Sequence, residues 1–158
     1  QRQMCIRDRN GEDIMTAIDE TDQRILTMLE ADGRATLAQL AQATGLSVSA
    51  AQSRVQKLEK RGIIKGYKAI IDQEQRGLPI SAFVNVTPLD YSAESSIPDK
   101  LNNIDGIVSC YSVAGAPSFV LVVRVASPTA LEELLNLIHR TVPVSTETTM
   151  ILQTYFAH

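Results

Sequence analysis

The chain has 158 residues, 44% of them hydrophobic and 21% charged, with a formal net charge of −3. That is room for one domain or two small ones of a soluble globular type, and no apolar run approaches the roughly 20 residues that spanning a bilayer requires. Two cysteines and two histidines, widely separated, exclude a disulfide framework and a chelating metal centre, imply no cofactor, and suit a reducing cytoplasmic setting.

The mean charge conceals an asymmetry. From Ser47 to Lys68 six cations (Arg54, Lys57, Lys60, Arg61, Lys65 and Lys68) stand against Glu59 alone, a local +5. From Pro79 to His158 three cations stand against seven acids, a local −4. Such a split assigns a polyanion partner to one half and a different task to the other. A basic run can also be nothing more than a solvated face, so the pattern around it has to decide.

Residues 1–14 read as a leader or tag outside the fold, with Met15 as the native start. Residues 15–72 form the first domain. Asp19 is placed to cap a helix that reaches about Ala31, with Ile18, Ile25, Leu26 and Leu29 inward, and Asp32-Gly33 ends it. Thr36 and Gln39 make a capping box for a second helix with Leu37, Leu40 and Ala41 inside. Gly45 supplies a residue able to turn with positive φ, and Ser47 caps a third helix that runs to about Arg61.

That third helix carries the signal. Val48, Ala51, Val55 and Leu58 fall on one stripe facing a core. The other side holds Ser49, Ala50, Ser53, Gln56, Lys57 and Lys60, with Arg54 and Arg61 on a flank. Small polar residues come early, as entry into a major groove requires, and cations come late, where phosphates lie. Two helices joined by a short glycine turn, the second basic, read as a helix-turn-helix. The expected DNA contacts are Ser47, Ser49, Ala50, Ser53, Arg54, Lys57 and Lys60. Ile63 to Asp72 is rich in β-formers and is expected to leave this domain as a wing strand, followed by a polar linker at residues 73–78.

Residues 79–158 read as βαββαβ. The expected strands are Ile80–Val86, Ile107–Val113, Phe119–Val125 and Val144–Phe156. The helices fall at Ala93–Asn103 and, capped by Ser127 or Thr129, before Pro143. That order gives an α+β, ferredoxin-like split βαβ with both helices on one face of an antiparallel sheet. Phe119–Val125 is almost continuously apolar, which implies burial on both faces and hence a second copy against the sheet. No nucleophile–base set and no phosphate-cradling glycine loop occurs, so no catalytic residue is assigned.

From about Ile18 to Phe156 the chain resembles the Lrp/AsnC (feast/famine) transcription regulators. The carriers are ILTMLEADGRA, LAQLAQATGLS and RVQKLEKRGIIKGY in the first domain, and SCYSVAGAPSFVLVVRV with TETTMILQT in the second. It looks most similar to an actinobacterial branch that controls amino-acid metabolism. The resemblance implies a winged helix-turn-helix joined to an effector-binding and oligomerisation domain, a homodimer that assembles further, to an octamer, and an amino acid docking between dimers. It places the effector at Gly115, Ala116, Ser118, Thr146 and Thr148. The family's turn reads Gly-x-x-Asp, whereas this chain has Gly115-Ala116-Pro117-Ser118, so the carboxylate that would meet an ammonium is missing. Two other readings stay open: a nucleoid-type architectural DNA-binding protein, and a tetrapyrrole decarboxylase of similar shape using Arg124, His139 and Arg140.

Overall fold

The computed structural model describes residues 17–157, so the expected leader at 1–14 and the start at Met15 lie outside the described residues. The chain divides into two compact units between Ala69 and Ile70.

The first unit holds three helices, α1 (Glu20–Ala31), α2 (Leu37–Thr44) and α3 (Val48–Lys60). Each begins on an oxygen-bearing side chain that accepts from a backbone N–H otherwise left without a helical partner. Asp19 accepts from the Asp22 amide, Thr36 closes its capping box with Gln39, and Ser47 accepts from the Ala50 amide. Gly45, at φ 71°, ends α2 in the left-handed region that glycine adopts without a Cβ penalty. Leu46 donates its amide to the Ala41 carbonyl, leaving a turn of three residues before α3. Ile25, Leu40, Ala41, Ala51, Val55 and Leu58 form the core, flanked by Leu26, Met28, Leu29, Leu37, Ile63 and Ile64.

One further contact joins α1 to α3. Nη1 of Arg54 donates to Asp19 Oδ2 at 2.6 Å and to Asp22 Oδ1 at 2.9 Å. Asp19 therefore caps its own helix and holds another with the same carboxylate.

Over Ile63–Asp72, expected as a wing strand, the described residues of the single chain join no sheet. The amides of Ile63 and Ile64 fold back onto the Leu58 carbonyl at the end of α3, and Tyr67 donates to Glu59 Oε1 at 2.9 Å. The remainder forms no helix and pairs with no strand among the described residues, and Ile70 is 97% exposed. β-forming residues without a ladder to join do not make a strand. The expected linker is a turn organised by Asp72, whose carboxylate accepts from the amides of Glu74 and Gln75.

The second unit contains β1 (Ile80–Pro88), a 3₁₀ turn (Tyr91–Ser96) running into α4 (Ile97–Leu101), β2 (Ile107–Ser112), β3 (Phe119–Val125), α5 (Pro128–Thr141) and β4 (Val144–Ile151). The sheet is antiparallel in the order β2-β3-β1-β4, the split βαβ arrangement. Ala82, Val84 and Val86 of β1, with Phe119, Leu121, Val123 and Val125 of β3, pack under Ile97, Leu101, Leu131, Leu134 and Ile138. Gly106, at φ 93°, lets the chain enter β2, and its missing Cβ would lie 3.1 Å from Leu134 Cδ2.

Within the single chain β3 is buried on its helix-covered face alone: its residues alternate, with Val120, Val122 and Arg124 half-buried while Phe83, Val108 and Tyr111 nearby are exposed. Its apolar character is matched by this second, partly exposed face. β4 stops at Ile151 rather than Phe156: its last pair with β1 is Ile151 with Ser81, one residue from the start of that strand.

The charge geometry of the first unit carries a pH signature. Hydrogen bonding to Arg54 and to the Asp22 amide holds the Asp19 carboxyl below its ordinary value of about 3.8. A depressed folded-state value means stability that is present above the unfolded value and lost as pH falls through the folded one. The melting temperature of the full chain is therefore expected to be flat from neutrality to about pH 5 and to fall below about pH 4, with a shallower acid limb in Asp19→Asn. A limb unchanged by Asp19→Asn in a thermal scan against pH contradicts the assignment.

Candidate nucleic-acid interface and effector loop

α3 presents its two sides as the stripe of Ala51, Val55 and Leu58 dictates. With those three buried, Ser47, Ser49, Gln52, Ser53, Gln56, Lys57 and Lys60 are exposed and Ala50 is half-buried. The cap keeps Ser47 close to its helix: Oγ accepts from the Ala50 amide at 3.2 Å and lies 3.2 Å from Ser49 Oγ. Among the described residues Lys57 and Lys60 take part in no ion pair. They sit in the last turn of α3, where positive charge suits the helix dipole and the head group stays available to a phosphate.

Three positions differ from the sequence reading. Val48, expected in the core, is half exposed: at the first position of α3 its side chain leans back past the helix start. Its exposure places Gln52, one turn on, on the same open surface. Gln52 was missed because counting Val48 as core assigned that flank to the interior. The amide of Gln52 can donate and accept at once, as recognition of an adenine edge requires. Arg54, expected at the bases, turns its guanidinium toward α1 and the two carboxylates.

The second candidate site lies at one end of the sheet. The β2–β3 connection closes by the Val113 amide donating to the Ser118 carbonyl and the Ser118 amide donating to the Val86 carbonyl. Gly115 and Ala116 are exposed and Ser118 half-buried. Gly115 does not use the positive-φ region, and an added Cβ would meet only Pro117 Cδ at 3.9 Å. The fold alone therefore leaves its glycine unexplained.

Val86 also pairs with Thr146, so the loop and Thr146 end on the same row of the sheet, on opposite sides of β1. Two strand spacings separate them, on the order of 10 Å. Thr146 and Thr148 pair with the buried Val86 and Val84 and so share the helix-covered side of edge strand β4. Thr146 Oγ1 is 2.8 Å from His139 Nε2 of α5. Cys110 is opposite Leu121 on β3 and half-buried, and burial pushes its thiol above the ordinary value, which disfavours the reactive thiolate. Among the described residues no cluster of His, Cys, Asp or Glu is placed to hold a metal ion, and no helix is long and apolar enough to cross a membrane. A groove of about 490 Å³ between α1 and α2 is lined by Met28, Ala35 and Ala43, and none of the sequence-derived site residues faces it.

Comparison with known proteins gives two domain matches. Residues 18–65 match a winged helix-turn-helix DNA-binding domain, and residues 81–158 match the Lrp/AsnC ligand-binding domain. The HTH-type transcriptional regulator LrpA of Mycobacterium tuberculosis is 52% identical over 89% of this chain and 94% of its own length. A feast or famine regulatory protein from M. tuberculosis, solved in complex with L-methionine, superposes with a TM-score of 0.87 at 52% identity, over 89% of this chain and 96% of that one. Escherichia coli AsnC superposes with a TM-score of 0.83 at 29% identity, over 90% and 97% of the two chains. A DNA-binding helix-turn-helix followed by a split βαβ sheet domain, matched at both ends and in solved relatives, makes this chain a member of the Lrp/AsnC family of transcription regulators.

Proposed function

We propose that the chain is a cytoplasmic regulator that reads duplex DNA through α3, acts as a dimer built on the uncovered sheet face, and takes a free amino acid as its effector. The observation that carries the DNA reading is the composition of α3's open side. Ser47, Ser49, Ala50, Gln52 and Ser53 are small or polar where bases are approached, and Lys57 and Lys60 follow at phosphate distance along the helix. The helix-turn-helix domain gives no reason to expect chemistry, and Arg124, His139 and Arg140 do not converge on a substrate. Arg124 bonds Ser81, while His139 bonds Thr146 from the other side of the sheet. A tetrapyrrole decarboxylase is the poorer reading.

A second copy supports the rest. Phe83, Val108 and Tyr111, with Val120 and Val122, leave an apolar surface that a two-fold partner would cover. Pairing places two α3 helices for successive half-sites, about 34–36 Å apart. Dimers then assemble to a higher oligomer, an octamer on the family pattern, with the effector bound between them. Sequence-specific control is favoured over an architectural role by the polar, rather than uniformly cationic, start of α3.

For DNA, Lys57→Ala is expected to weaken binding to all duplex sequences alike and to lower the slope of log affinity against log salt by about one. Fluorescence anisotropy over a salt series measures both, and an unchanged slope removes Lys57 from the interface.

For the effector, methionine is the first candidate, since a relative was solved with it. Ser118 offers a neutral hydrogen bond worth about 0.5–1.5 kcal/mol, less than a carboxylate facing an ammonium. Calorimetric titration of methionine is expected to give modest affinity that Ser118→Asp tightens. No heat from either protein rules out this loop as a methionine site.

A further inference from the structure

We infer that Arg54 is a positioning residue for DNA recognition: held by Asp19 and Asp22, it fixes how α3 sits on α1 and so aims the reading face, without touching the nucleic acid itself. The inference rests on α3 being the reading helix and adds what sets that helix's attitude.

The geometry is specific. Both carboxylates bond the same nitrogen, Nη1, at 2.6 and 2.9 Å, across 35 and 32 residues of sequence. The Asp22 side chain is only 14% exposed and that of Arg54 33%. A carboxylate so far withdrawn from water needs its cation, so the guanidinium cannot swing out to DNA without leaving a poorly solvated charge behind. Asp19 adds a second constraint, because its carboxylate is also the cap of α1. The point where α1 starts and the middle of α3 are thus tied through one group.

The apolar stripe alone does not fix the same thing. Ala51, Val55 and Leu58 decide which side of α3 faces inward, but a row of small and branched side chains tolerates sliding and tilting. Arg54 lies beside that stripe, one residue before Val55. A short bond from it to the start of α1 restrains the remaining freedom. Base recognition by Gln52 or Ser53 depends on that restraint, since hydrogen bonds weaken steeply when misaligned.

The sign of charge separates this role from direct contact. Arg54→Ala removes a cation, and the double substitution Asp19→Asn with Asp22→Asn removes two anions while Asn retains the capping oxygen. If Arg54 only positions α3, both variants lose selectivity, measured as affinity for a duplex recovered by selection from a random pool divided by affinity for a random-sequence duplex. The expected loss is about tenfold each, the scale of one base contact, despite their opposite charge changes. Arg54→Ala also keeps the parental salt slope, whereas Lys57→Ala lowers it. If Arg54 contacts DNA through its other N–H groups, Arg54→Ala lowers the slope and the double Asn variant, its guanidinium released, binds the selected duplex more tightly.

Either of those results overturns the proposal. Circular dichroism confirms that the full-length variants are folded. Should Arg54→Ala unfold, Arg54→Gln, which removes the charge but keeps a polar side chain, takes its place and is expected to lose selectivity with an unchanged slope, whereas a lowered slope overturns the proposal. A parental salt slope in Lys57→Ala together with parental selectivity in Gln52→Ala would instead remove α3 as the reader, a failure distinguishable from that of the Arg54 assignment.

Discussion

A helix that must be buried along one side and offered to a partner along the other depends on a narrow apolar stripe. In α3 that stripe is Ala51, Val55 and Leu58, all buried in one core with Ile25 and Leu40. At about 25 cal/mol per Å² of apolar surface, burying a Leu or Val side chain stabilises by roughly 1.5–3 kcal/mol. Polar or charged groups at 51, 55 or 58 would forfeit that, while Ser49, Gln52, Ser53 and Gln56 cost little because they remain in water. The stripe therefore leaves the rest of the helix surface free to be chosen for recognition. The three capped helix starts, the Gly45 turn and the Arg54 clasp all hold this one helix in place.

The second unit meets the opposite problem. Its sheet has one face sealed by α4 and α5 and another that is apolar yet open, around Phe83, Tyr111, Val120 and Val122. A monomer gains nothing from such a face, and a two-fold partner gains from it twice. The effector loop and the Thr146 row lie at one end of the same sheet, where a change in how copies meet would be felt. Under the proposed function, coupling between amino acid and DNA passes through assembly, which needs no chemistry within the chain.

Much of this was legible in the sequence because local rules and burial agreed. Asp19, Thr36, Gly45 and Ser47 were readable as punctuation, since each satisfies or redirects a backbone group within a few residues. The βαββαβ order followed from alternating periods. What failed were properties that depend on partners distant in the chain. Ile63–Asp72 has strand-forming residues but, among the described residues, pairs with no strand, and β4 ends at Ile151 near the start of β1. Spacing placed Arg54 on the flank of α3 but could not show two acids from α1 meeting it. Val48 obeyed the periodicity and is still half exposed, and that hid Gln52.

The central claim is that α3 reads DNA with its early, open side, and site-specific photo-crosslinking tests it most directly. A photoreactive side chain placed at Gln52 or at Ser53 is expected to cross-link to a bound duplex in the full-length protein. The same group at Thr149, on the outer sheet face, is expected not to do so. Cross-linking from Thr149 with none from Gln52 or Ser53 would contradict the account.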